Sequence, residues 1–170
     1  NWGEGVAPNG AVTAKLVSVT GVGNSGTAYR TVTVDSNTTV DTLQIIQDSD
    51  TYGNGLSLAA NLSVTNWSGP GWWCSKSRLY MNGYTLALGS LPAFGNFMTI
   101  AGGGTIIKRT GGFVSLSNDG GGGFTGQWII EEGEVGVYYS SAMTTPSGVM
   151  VSNGATLKGH SFTLGSFPMT

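Results

Sequence analysis

Residues Gly102–Val137 read GGGTIIKRTGGFVSLSNDGGGGFTGQWIIEEGEVGV, and the fold turns on how this stretch is punctuated. Thr105–Lys108, Phe113–Leu116, Gln127–Ile130 and Glu134–Val137 each have strand length and β-branched or aromatic content. Gly102–Gly104, Gly111–Gly112, Gly120–Gly123 and Gly133 separate them as corners. Short apolar strands alternating with glycine corners at near-even spacing predict a ribbon of sheet that coils on itself.

Working outward, the same grammar extends both ways. Ala11–Thr20 alternates as a strand, with Val12, Ala14, Leu16 and Val17 or Val19 competing for the inner face, and Ala28–Asp35 reads as another. Val40–Ile46 and Leu56–Val64 follow with period-two alternation, and Asp48–Gly55 forms the turn between them. No window of eleven or more residues holds the three-and-four apolar spacing of a helix. Asn66–Lys76, NWSGPGWWCSK, is irregular and reads as a loop leaving the layers; its tryptophans either seal the core or offer stacking faces to sugar rings.

An internal echo supports stacking. Gly83–Pro92, GYTLALGSLP, and Gly159–Pro168, GHSFTLGSFP, share Gly, Leu, Gly, Ser and Pro, and Met81, Leu86 and Leu91 align with Leu157, Phe162 and Phe167. The offset suggests coils of roughly 19 residues in a one-dimensional solenoid. The expected organisation is one all-β domain over 1–170, with a cap-like lead-in at 1–27 and coils over 28–170. A right-handed parallel β-helix is the leading fold. A β-sandwich is the alternative, because alternation serves both; Asn82-Gly83 and Asn153-Gly154 are the hairpin-type turns that would suit it.

Composition narrows the function. Only 9% of the residues are charged, the net charge is −2, and glycine supplies 29 of 170 residues. Charges without runs give no basic patch for nucleic acid or an anionic membrane, and no apolar run approaches the roughly 20 residues of a membrane span. One cysteine, Cys74, and one histidine, His160, give too few soft ligands for a structural zinc site. No metal or other cofactor is expected.

Enzymatic chemistry finds little footing. Glu131, Glu132 and Glu134 form the single acidic cluster and read better as a solvated corner than as paired catalytic carboxylates. Asp48 and Asp50 suit a polar turn. Gly102–Gly104 lacks the Lys-Ser or Lys-Thr that a phosphate loop needs. His160 aligns with Tyr84 in the echo, which favours a structural role. Thr31, Thr33, Thr38 and Thr39 suggest a threonine array, but it does not recur. No catalytic residue is assigned, and the chain is expected not to be an enzyme.

With Lys108, the Phe124-Thr125-Gly126 step and Gly133-Glu134-Val135 in place, Gly102–Val137 resembles the autotransporter-associated β-strand repeat of bacterial secreted proteins. Val149–Gly159, VMVSNGATLKG, resembles the strand that commonly follows it, and Asn1–Ile45 is similar to the opening region of such proteins. The resemblance implies a right-handed parallel β-helix, extracellular or on the cell surface, and carries over no catalytic residue. The tryptophan loop and Gly120–Gly123 depart from the pattern.

The chain starts at Asn1 without Met or signal peptide, which fits a processed secreted product or a piece of something longer. After GSFP it stops at Met169-Thr170 with no polar cap. The leading expectation is therefore a structural fibre subunit whose partners are copies of itself, joined head to tail through Trp2, Phe167, Pro168 and Met169. The alternative is an adhesin-like module that stacks polysaccharide on Trp67, Trp72 and Trp73. Asn37, Asn61 and Asn66 begin candidate N-glycosylation sequons.

Overall fold

A computed structural model describes residues 9–18, 30–47, 54–68, 78–90, 99–116, 123–138, 143 and 146–160. Among these described residues fifteen strands run β1 Gly10–Ser18, β2 Arg30–Val34, β3 Thr38–Gln47, β4 Asn54–Leu58, β5 Leu62–Ser68, β6 Arg78–Tyr80, β7 Thr85–Ser90, β8 Thr99–Gly102, β9 Thr105–Lys108, β10 Phe113–Leu116, β11 Gly123–Phe124, β12 Gln127–Ile130, β13 Glu134–Val137, β14 Gly148–Val151 and β15 Thr156–Gly159. They form three sheets, ordered β1-β3-β5-β7-β9-β12-β14, β2-β4-β6-β8-β11 and β10-β13-β15. Every pairing is parallel. Strands that neighbour each other in a sheet are therefore one coil apart in sequence, which is a parallel β-solenoid and excludes the sandwich of antiparallel hairpins.

Parallel register stacks like positions into axial columns. Thr38, Leu62, Leu86, Ile106, Trp128 and Val149 pair in turn along the large sheet, and all are buried. Val32, Leu56, Leu79 and Ile100 form a column in the second sheet, and Val114, Val135 and Leu157 one in the third. Each apolar side chain is covered by the coils above and below, so burial is purchased level by level. Phe124 meets Trp128 edge to face at 6.1 Å, joining two sheets within one coil.

The coil is longer than the sequence suggests. Thr13 pairs with Thr42, Leu62 with Leu86 and Thr85 with Thr105, so the step falls from 29 through 24 to 20 residues, against the expected 19. The echo does not mark the period: Gly83 turns the chain from β6 into a large-sheet strand, whereas Gly159 ends β15 in the third sheet. The turn that Asn82-Gly83 makes ahead of the first copy is matched at Asn153-Gly154, outside the second copy: Tyr84 N donates to Met81 O and Ala155 N to Ser152 O. Both Asn-Gly pairs serve as corners between sheets, not as hairpins.

Other boundaries also move. Leu56–Val64 is two strands, β4 and β5, broken at Ala59–Asn61, because Asn61 turns the corner between sheets. Asn66–Ser68 belongs to β5, not to a loop. On β1, Ala14 is buried but Val12 is 40% exposed, since the register with β3 shifts between Gly10 and Thr13. The lead-in segment thus contributes the first strand of the large sheet.

Candidate functional site

The corners carry most of the polar side-chain bonds and change construction along the axis. In the earlier coils asparagine closes the corner before each large-sheet strand. Asn37 Oδ1 accepts from Asn61 N at 3.1 Å, Asn61 Oδ1 from Thr85 N at 2.9 Å, and Asn9 Oδ1 from Thr39 N at 3.1 Å. Each amide side chain thereby supplies an acceptor to the coil above. In the later coils backbone does the same work: Thr105 N donates to Tyr84 O and Gln127 N to Gly104 O. A Cβ on Gly104 would strike the Tyr84 carbonyl, and one on Gly126 the Gly104 carbonyl.

The second corner widens. Val40, Val64, Leu88, Lys108, Ile130 and Val151 stack as one inward column. Thr42, Asn66 and Ser90 follow two positions later in the same sheet, but after Lys108 the chain turns through Arg109-Thr110-Gly111 before Gly112 reaches Ser90. Thr110 adopts φ 71 there, an unfavourable conformation for a β-branched residue. The wider turn aims carbonyls inward where an aliphatic column offers them nothing.

Lys108 answers them. Its side chain is 0% exposed, and Nζ donates to Thr110 O at 2.6 Å, Arg109 O at 3.0 Å and Glu132 O of the next coil at 3.2 Å. All three ammonium donors have carbonyl partners, the condition under which a buried charge is tolerable. Burial pushes its pKa below the usual lysine value, and the Glu132 carboxylate opposes that shift. On the outside of the same corner, Arg109 Nε meets Glu131 Oε2 at 3.2 Å in solvent.

The acidic cluster is a corner. Glu131 takes the surface ion pair, Glu132 offers its carbonyl to Lys108, and Glu134 opens β13 beyond Gly133, whose φ is 74. On the outer face of the third sheet, the His160 ring stacks on Tyr138 at 4.1 Å and 4°, and His160 Nε2 is buried without a hydrogen bond. Among the described residues no group of His, Cys, Asp or Glu has the makings of a metal site.

Trp67 is a core residue, 5% exposed on β5, so its ring is closed to a sugar and belongs to the sealing role. Trp72, Trp73, Cys74, Asp48, Asp50, Trp2, Phe167, Pro168 and Met169 lie outside the described residues. Of the sequon asparagines, Asn37 and Asn61 are corner ladder residues, and Asn66 lies exposed on β5. Sequence reasoning passed over Lys108 as a functional side chain because a lysine ordinarily reads as solvated. Aligning TIIK with QWII would have set it opposite Ile130 in an apolar column. Comparison with protein-family models, with curated proteins and with solved structures finds no match to this chain.

Proposed function

We propose that the chain is a non-catalytic structural β-solenoid that assembles head to tail with copies of itself into an extracellular fibre or surface layer. The observation carrying this reading is that one polarity runs along the whole solenoid, every pairing between the described strands being parallel. Among the described residues, β1 and β14 are the outer strands of the large sheet and run in the same direction. The β14 edge of one copy therefore suits the β1 edge of the next, a heterologous contact that repeats without closing. Low charge and the likeness of Gly102–Val137 to repeats of secreted bacterial proteins agree with this placement. Analytical ultracentrifugation with electron microscopy tests it: rods that lengthen with concentration are expected, and a strict monomer at every concentration refutes it.

A further inference from the structure

Asn-Gly occurs four times, at 9–10, 54–55, 82–83 and 153–154, and the two closed by a turn hydrogen bond, Asn82-Gly83 and Asn153-Gly154, differ in a way that bears on covalent chemistry. Both are exposed, and a Cβ on either glycine would meet open space. At the first corner every reacting group is tied down. Asn82 Nδ2 donates to Ser57 Oγ at 2.9 Å and to Leu58 O at 3.0 Å, and Gly83 N donates to Gly103 O at 2.7 Å. At the second corner Ala155 N to Ser152 O closes the turn. Among the described residues neither the Asn153 side chain nor Gly154 N has a hydrogen bond.

We propose that Asn153-Gly154 is a site of spontaneous deamidation, and that the same dipeptide at Asn82-Gly83 is protected by its neighbours. The Gly154 amide nitrogen loses its proton to solvent base and attacks Cγ of Asn153. A C–N bond forms, and the Cγ–Nδ2 bond breaks as nitrogen leaves with a proton as ammonia, giving a five-membered succinimide. Water then opens the ring. Opening at Cγ leaves aspartate, and opening at the main-chain carbonyl leaves isoaspartate. No oxidant or reductant takes part. Glycine lacks the side chain that would hinder the attack, so local sequence favours both sites equally and the fold alone separates them.

At Asn82 the attack must first break the hydrogen bond from Gly83 N to Gly103 O and free a side chain held at two points; at Asn153 neither hold exists among the described residues. Each product places a new carboxylate at the corner between β14 and β15, and isoaspartate also lengthens the backbone there. The corner lies beside β14, the edge that the assembly reading pairs with the next copy, so the rates are compared at a dilution where the chain is monomeric, which keeps the two tests separate.

The test follows the Asn82-Gly83 and Asn153-Gly154 peptides by mass spectrometry while the full chain is held in mildly alkaline buffer, with isoaspartyl and aspartyl forms separated by retention. In the folded chain, Asn153 is expected to convert about tenfold or more faster than Asn82, the factor that loss of such hydrogen bonds implies. In urea the two rates converge. Ser57→Ala removes one acceptor from Asn82 and raises its rate while leaving Asn153 unchanged. Equal rates at the two sites in the folded chain, or an Asn153 that stays intact while the unfolded chain reacts, overturns the proposal.

Discussion

The coils through β3, β5 and β7 and those through β9, β12 and β14 share inward columns but close their corners by different means. The earlier coils use exposed asparagines whose side chains reach one level up. The later ones use glycines pressed against backbone and a buried lysine that collects carbonyls. Water can stand in for an exposed asparagine, but not for a buried ammonium or a missing Cβ. The two halves should therefore tolerate substitution very differently.

The largest effect is expected at Lys108. Lys108→Met keeps length and apolar bulk but strands three inward carbonyls, and should cost about 3 kcal/mol in chemical denaturation. Gly126→Ala comes next at roughly 2–3 kcal/mol, because the added Cβ meets backbone that cannot rotate away. Asn61→Ala in the other half should cost about 1 kcal/mol, as Thr85 N gains access to water. A loss at Asn61 equal to that at Lys108 would erase the contrast. Arg109→Ala, which removes a solvent-exposed ion pair, should change stability by less than about 0.5 kcal/mol.

A pH experiment sharpens the point. The folded-state pKa of Lys108 lies below 10.5, so just under that value the folded chain binds fewer protons than the unfolded one. Stability from this group therefore rises as pH climbs through that window, a small gain set against neutral pH. Denaturation midpoints of the parent and Lys108→Met should draw apart as pH approaches about 10, and parallel profiles would count against a buried charged lysine.

Where side chains alternate and glycines punctuate, the sequence was enough. β9, β10, β12 and β13 have the boundaries that Gly102–Val137 implies, because four-residue strands between glycine corners leave little freedom in register. It failed where a polar side chain replaces a backbone contact. Leu56–Val64 alternates across a corner, since Asn61 bends the chain without breaking the period. Lys108 is concealed for the converse reason: its partners are carbonyls of a turn, and no pattern of residue types reveals where a carbonyl points. The echo misled because glycine and leucine recur at corners of every kind.

Trp67 on β5 and Trp128 on β12 are both buried, one in each half of this contrast. Their indoles are native optical reporters. Variants keeping one or the other as sole fluorophore would register separately when each half melts. In a fold stabilised between nearest neighbours, two coincident emission transitions would mean cooperativity spans the axis, and two distinct ones would locate the weak seam between asparagine and glycine construction.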